Sequence, residues 1–260
     1  MQNAVIITGG GSGLGKSLAK LLRSKGESVI TVDWAGDADV YADLSTQAGR
    51  ESAIKDCLKK CPSPRSLVSN AGLSPIHEDA LQILNVNWVA ATVFLENFLK
   101  PLSEHPSGSA VAISSIGAAI GGDIELESYL LANDLDSAKR HLEILKKARP
   151  NDVGIVTYST CKAALARYVR LNANAWGREG VRLNAIAPGR METPMLEGLL
   201  ADPEIAPGIE ALPSGIHKSA TSDAVAEVVE FFIHPRCSFI HGQVLYVDGG
   251  SEAILRPDLI

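Results

Sequence analysis

Apolar residues fall along this chain in short β-branched runs, separated by longer stretches in which they recur every three or four positions. The first run, 4–8, has Val5, Ile6 and Ile7 at its centre and breaks into Gly9, Gly10, Gly11, Ser12, Gly13, Leu14 and Gly15. Leu18, Leu21 and Leu22 then recur at helical spacing, so the pattern predicts strand, glycine turn, helix. A second run, 28–33, ends on Asp33 and completes a βαβ unit. Further strands are predicted at 66–69, 109–114, 181–186 and 243–247, and helices at about 47–60, 80–102, 157–177 and 222–233. Strands alternating with helices imply a parallel sheet covered on both faces, a Rossmann-type doubly wound α/β fold. No repeat or linker divides the pattern, and 1–260 reads as a single domain.

Two stretches depart from minimal alternation. About forty residues separate Ser115 from the helix containing Tyr158, and Leu131, Leu135, Leu142 and Leu145 recur within them at helical intervals. This predicts an inserted helix or helix pair at about 123–150, open to three readings: surface elaboration, wall of a substrate cleft, or subunit contact. From about 190 to 219, Met191, Met195, Leu196, Leu199, Leu200, Ile205, Ile209 and Leu212 lie among Pro and Gly. Either a short helix packs there on the core, or an apolar substrate loop closes over a cleft.

With 46% hydrophobic residues the composition is that of a globular protein, and 24 Lys and Arg against 30 Asp and Glu, with no basic run, argue against nucleic acid as a partner. Small molecules are the expected ligands. Cys57, Cys61, Cys161 and Cys237 are too scattered for a disulfide framework and fit a reducing cytoplasm. Cys57 and Cys61 can share a helix face, but no further Cys or His cluster completes a metal site, so packing is expected and metal is not. No leader pattern and no apolar run approaching the roughly 18 residues of a membrane span is found, so neither export nor a membrane partner is expected.

The glycine turn follows the first strand and opens the first helix, where backbone N–H groups can approach a dinucleotide pyrophosphate without a Cβ in the way. Thr8, Gly9, Gly13 and Gly15 give the pattern T-G-x-x-x-G-x-G. Asp33, ending the second strand, can accept hydrogen bonds from both adenosine ribose hydroxyls and would repel a 2′-phosphate. Neither Ser12 nor Trp34 supplies a cation, and Lys16 is expected to face solvent, so NAD rather than NADP is the expected cofactor. Of five tyrosines only Tyr158 has a lysine four positions later, Lys162, on the same helix face. The neighbouring ammonium and an oxidised nicotinamide are together expected to favour phenolate, lowering the phenol pKa toward the working range and letting the pair move a hydroxyl proton.

In combined order these residues resemble the short-chain dehydrogenase/reductase family over nearly the whole chain. The resemblance is carried by 8–15, Asp33, Ala42-Asp43-Leu44, Asn70-Ala71-Gly72, Asn87, Ile113-Ser114-Ser115, Tyr158 with Lys162, Pro188-Gly189 with Thr193, and Val247-Asp248-Gly249-Gly250. It implies cofactor contacts from Gly9, Ser12, Gly13, Leu14, Gly15 and Asp33, with Asp43 and Leu44 bracketing adenine. Asn70, Ala71, Gly72, Pro188 and Gly189 would lie beside the cofactor, and Thr193 would hold the nicotinamide carboxamide. Ser115 would hydrogen-bond the substrate oxygen, Tyr158 exchange the proton, Lys162 bind the nicotinamide ribose, and Asn87 anchor a water behind Lys162. Ser114 would point to the opposite side of the strand, and Ala90 stands where many members carry Gly. Extended epimerases of related fold would need Gly at position 12, and enoyl reductases place their Tyr where this chain has Ile155.

Within the family the chain is most similar to bacterial 3α-hydroxysteroid dehydrogenase/carbonyl reductases, on Ala42-Asp-Leu-Ser-Thr46, the insertion before Tyr158, Ala175-Trp-Gly177, Ile186-Ala-Pro-Gly189, Glu192-Thr-Pro194 and Arg256-Pro257. Coniferyl alcohol dehydrogenases look similar too. The expected function is NAD-dependent interconversion of a secondary alcohol and a ketone on a bulky apolar substrate; the alternatives are an aromatic alcohol dehydrogenase or a non-catalytic dinucleotide-binding sensor. Family members commonly pair through the long helices that here contain Asn87 and Tyr158. Bulk at 123–150 would obstruct that contact, so a homodimer through another face is expected, with the inserted helices bordering the cleft. The six histidines, His217 and His241 among them, are scattered, and none is given a catalytic role.

Overall fold

The computed structural model describes residues 3–216 and 218–259; His217 lies outside them. The first half of the chain runs β1 (Val5–Thr8), α1 (Gly13–Ser24), β2 (Val29–Asp33), β3 (Val40–Tyr41), α2 (Gln47–Lys60), β4 (Ser66–Ser69) and α3 (Ala80–Leu84). A π-helical turn at Asn85–Ala90 leads into α4 (Ala91–Ser103), β5 (Ser109–Ile113) and α5 (Gly117–Ile120). Next come α6 (Ile124–Leu131), α7 (Leu135–Ala148), α8 (Val153–Arg178), β6 (Arg182–Pro188), β7 (Met191–Glu192) and α9 (Pro194–Ala201). The chain closes with α10 (Ala206–Glu210), β8 (Ala220–Thr221), α11 (Ser222–Ile233), β9 (Val244–Val247) and α12 (Ser251–Leu255).

Seven strands form one parallel sheet in the order β3-β2-β1-β4-β5-β6-β9. Successive side chains of a strand point to opposite faces, and β1 uses both. Ile6 packs with Phe94, Phe98 and Leu165 on the side of α2, α4 and α8. Val5 and Ile7 pack with Leu18 and Leu22 of α1 and Val225 and Val229 of α11 on the other. A strand buried on both faces has no solvent side to alternate with, which is why these strands read as short mostly apolar runs, their few polar members such as Thr8 hydrogen-bonded.

The order of strands reverses between β1 and β4, so the chain leaves these two neighbours in opposite directions and a crevice opens at their carboxyl ends. Thr8 closes its floor: its Oγ1 accepts from the backbone N–H of Asn70 and of Ala71, each at 3.0 Å. The Asn70 amide returns the tie, donating to the Thr8 and Gly9 carbonyls at 3.0 Å.

The predicted insertion is a helix pair, α6 and α7. Leu126, Leu130, Ala138 and Leu142 bury it in the same core as α8. Its entry is pinned to the catalytic-motif helix, since Asp123 N–H donates to Thr160 Oγ1 at 2.8 Å, and a Cβ at Gly122 would come within 2.3 Å of that oxygen. Among the described residues none of 123–150 lines the main cleft, which corrects the expectation that the insertion borders it. The reason is direction: α5 finishes the cleft wall at Ile120, and the chain then turns away across the outer side of α8. A second correction concerns 80–102, which is not one continuous α-helix but α3 and α4 joined by the π-helical turn. Cys57, Cys61, Cys161 and Cys237 are free and buried, as packing residues should be.

Candidate active site

A cleft of about 540 Å³ occupies the crevice. Of the residues singled out from sequence, sixteen line it: Gly9, Ser12, Gly13, Leu14, Asp33, Asp43, Leu44, Asn70, Ala71, Gly72, Ser115, Tyr158, Lys162, Pro188, Gly189 and Thr193. Gly15 and Asn87 stand behind the wall and shape it.

At one end the glycine turn meets β4. Gly9 and Gly13 hold φ of +70° and +48°, which L side chains rarely adopt. A Cβ at Gly15 would lie 2.0 Å from the Gly9 carbonyl oxygen, so glycine is what lets α1 start this close to the strand. Ser12 precedes α1 but gives it no side-chain cap, whereas Thr46 caps α2 and Asp79 caps α3. The first N–H groups of α1 are thereby left without a side-chain acceptor at the cleft wall, and they suit a phosphate. Asp33 stands beside them, its Oδ2 accepting from Gly11 N–H at 2.8 Å and its Oδ1 from Trp34 N–H at 2.7 Å. Among the described residues the only lining Lys and Arg are Lys162 and Arg190, neither of them on the segments that carry Asp33 or Asp43.

Ser115, Tyr158 and Lys162 converge at the other end. The serine hydroxyl shares a hydrogen bond with the Tyr158 phenol and accepts from Gly117 N–H at 3.2 Å. Ser114 donates its hydroxyl to the Lys162 carbonyl at 2.7 Å. Lys162, 4% exposed, donates from Nζ to the Ile113 carbonyl at 2.9 Å, and burial pulls its pKa down from 10.5 to about 8. Among the protein's own influences on Tyr158, burial pushes its pKa up, and the Ser115 hydrogen bond opposes that only in part. The Lys162 ammonium lies over the Tyr158 ring, 5.6 Å from its centroid.

Asn87 sits in the π-helical turn and is fully buried. Its Oδ1 accepts from Leu73 N–H at 2.6 Å and its Nδ2 donates to the Leu73 carbonyl at 3.0 Å, fixing the loop after β4. A Cβ on Gly72 would lie 3.2 Å from Asn87 Oδ1 and 3.5 Å from Lys162 Nζ, so Gly72 alone separates them.

The segment 190–219 forms the remaining wall. Met191, Met195, Leu196, Leu199, Ile209 and Leu212 face the cleft. Arg190 ties its two ends, donating to the Ile209 and Leu212 carbonyls at 3.0 and 3.1 Å. Sequence reasoning missed Arg190, and also His77 and Gln82, which place polar groups in the apolar half. A solitary histidine in a loop carries no periodicity or spacing by which to find it.

Glycines that bring strand and helix together, uncapped N–H groups, an acid without a nearby cation and a Ser, Tyr and Lys trio lining one cleft together define a nicotinamide-dinucleotide oxidoreductase. Comparison with known proteins agrees. Residues 3–127 match the "short chain dehydrogenase" family model, and 146–252 match the model described as "Enoyl-(Acyl carrier protein) reductase". The chain is 35% identical to 3-alpha-hydroxysteroid dehydrogenase/carbonyl reductase of Comamonas testosteroni, covering 98% of this chain and 99% of that protein. It is 32% identical to coniferyl-alcohol dehydrogenase of a Pseudomonas species, over 95% of each. Among solved structures, the 3-alpha-hydroxysteroid dehydrogenase of Pseudomonas sp. B-0831 in complex with NADH superposes with a TM-score of 0.90 at 33% identity, covering 99% of this chain and 100% of that one. The chain belongs to the short-chain dehydrogenase/reductase family and is an oxidoreductase acting on CH–OH groups.

Proposed function

We propose that the protein is an NAD-dependent dehydrogenase/carbonyl reductase that interconverts a secondary alcohol and a ketone on a bulky apolar substrate such as a 3α-hydroxysteroid. The observation that carries this reading is the convergence of half-buried Ser115 and Tyr158 with buried Lys162 on a cleft that has an apolar wall. Bound nicotinamide supplies the hydride acceptor in oxidation and the hydride donor in reduction. The Ser115 hydroxyl holds the substrate oxygen. Tyr158 Oη takes the hydroxyl proton in oxidation and returns it in reduction. Since burial disfavours the phenolate, a positive neighbour has to offset it, and the Lys162 ammonium is the nearby charge. Lys162 Nζ also holds the nicotinamide ribose, and Asn87 anchors a water behind it.

Gly9, Ser12, Gly13, Leu14 and Gly15 cradle the pyrophosphate, Asp33 takes the adenosine ribose, and Asp43 and Leu44 flank adenine. Asn70, Ala71, Gly72, Pro188 and Gly189 complete the cofactor wall, and Thr193 holds the carboxamide. The preference for NAD over NADP rests on Asp33, where a 2′-phosphate would meet a carboxylate. Segment 190–219 acts as the substrate loop, excluding water over the reacting carbon. The protein works in the cytoplasm as a single-domain subunit of a homodimer that leaves the covered face of α8 unused. In support, the four free thiols suit a reducing compartment, and no described helix is long and apolar enough to cross a membrane.

The test tracks NADH formation with a 3α-hydroxysteroid and with coniferyl alcohol, using NAD and NADP in turn. Steroid oxidation with NAD preferred is the expected result. Turnover of coniferyl alcohol alone moves the substrate class to aromatic primary alcohols. Tight NADH binding with no alcohol oxidised replaces the enzyme by a sensor.

A further inference from the structure

The substrate half of the cleft is walled by apolar side chains, among them Leu73, Pro75, Val86, Ile155 and Met195, with one histidine set into it. The ring of His77 is held by its own loop. Asp79 N–H points at Nδ1 from 3.1 Å, nearer than the Asp79 carbonyl oxygen at 3.3 Å. A backbone N–H can only donate, so Nδ1 is the acceptor and the ring proton stays on Nε2. No protein group among the described residues accepts from Nε2. An N–H donor is thus kept on the free edge of a ring that lines the cleft.

The loop that carries it is braced on three sides. Pro75 abuts α8, where a Cβ at Gly154 would fall 2.2 Å from the Pro75 carbonyl oxygen. Ile76 reaches the substrate loop, its Cδ1 lying 3.7 Å from where a Cβ on Gly198 would be. Asp79 caps α3 through Leu81 N–H at 2.8 Å and faces Lys146 of α7 at 3.9 Å. Gly154 precedes Tyr158 by four residues, about 6 Å along the helix axis, so the loop meets a substrate beyond its reacting carbon.

We propose that His77 is a specificity-determining residue, donating Nε2–H to an acceptor oxygen at the end of the substrate remote from the reacting alcohol. The inference rests on the alcohol/ketone reading above and adds to it a polar group on an otherwise apolar substrate. A donor fixed in a cleft that excludes water discriminates strongly, because a substrate lacking the acceptor leaves it unpaired. Lys146 and Asp79 make α7 a support for this loop, which is the route by which the insertion reaches the substrate without touching it.

The test compares two 3α-hydroxysteroids that differ only on the far ring, one with a ketone and one with a methylene. Wild-type enzyme is expected to prefer the ketone steroid roughly tenfold in kcat/KM. His77→Leu should erase most of that preference, mainly through KM, while His77→Gln, which keeps an N–H donor, retains part of it; NADH affinity reports on the fold of both variants. A preference unchanged in His77→Leu, or an equal loss for both steroids, overturns the assignment while leaving the enzyme reading intact. Wild-type enzyme that oxidises neither steroid with NAD overturns the substrate reading, and the role of His77 falls with it.

Discussion

Asn87 and Lys162 both face the Cα of Gly72, so that a single added methyl group there would lie 3.2 Å from the Asn87 amide oxygen and 3.5 Å from the lysine ammonium. The amide of Asn87 bonds both backbone groups of Leu73. The loop after β4 and the π-helical turn are thereby tied together next to Lys162 of α8.

Removing the phenol oxygen deletes the proton carrier and little else. Tyr158→Phe is expected to lower kcat by roughly 10²- to 10⁴-fold with NADH affinity nearly unchanged. Steady-state turnover and NADH fluorescence titration check this, and near-normal turnover would remove Tyr158 from the chemistry.

Lys162 makes a prediction about stability and pH. Burial lowers its folded-state pKa to about 8, below the ordinary value of 10.5. Between those values the unfolded chain holds more protons than the folded one, so the stability linked to Lys162 rises with pH across that window. The cost of the buried charge, on the order of 3 kcal/mol, is fully present below pH 8. Urea unfolding at pH 7.5, 8.5 and 9.5 is expected to show this rise in wild type relative to Lys162→Met. Parallel pH profiles for the two proteins would contradict it.

Asp33→Asn keeps an oxygen beside Gly11 N–H and removes the charge. The ratio of kcat/KM with NAD to that with NADP is expected to narrow by about tenfold or more. A wild-type enzyme already faster with NADP would refute the reading of Asp33.

Gly15→Ala drives a Cβ to within 2.0 Å of the Gly9 carbonyl oxygen. It should cost on the order of 3 kcal/mol and weaken NADH binding as the glycine turn shifts. A variant with wild-type urea midpoint and NADH affinity would show that the turn relaxes freely.

Replacing 123–150 by a tight loop strips Leu126, Leu130 and Leu142 from the core. The uncovered face of α8 is expected to bring subunits together into a species larger than wild type, read by sedimentation equilibrium, with NADH affinity little changed. An unchanged sedimentation profile would make the insertion irrelevant to assembly.

Much of this was legible in the chain because the sheet is parallel. Strands such as 5–8 and 66–69 are buried on both faces and stand out as short runs centred on Val5, Ile6 and Ile7 and on Leu67 and Val68, between helical periodicities. β3 was not legible, since Val40 and Tyr41 are too few to show any period. The glycine turn, Asp33 and the Tyr158–Lys162 pair were legible because close backbone approach, a strand-ending acid and an i, i+4 pair leave marks in local sequence. Asp43, Leu44, Asn70, Ala71, Gly72, Ser115, Pro188, Gly189 and Thr193 were reached only through the family resemblance. The upward push on Tyr158 and the fixed tautomer of His77 come from their surroundings in space, which no local spacing encodes.

The π-helical turn at Asn85–Ala90 amounts to one residue more than a regular helix would use. Deleting a single residue there would leave a helix free to run unbroken, but would swing everything on its leading side by about 100° relative to α4. Asn87 would then lose its grip on Leu73, and α3 would carry Gln82 out of line with the cleft. The length of the segment is thus fixed as firmly as the identity of Asn87 within it.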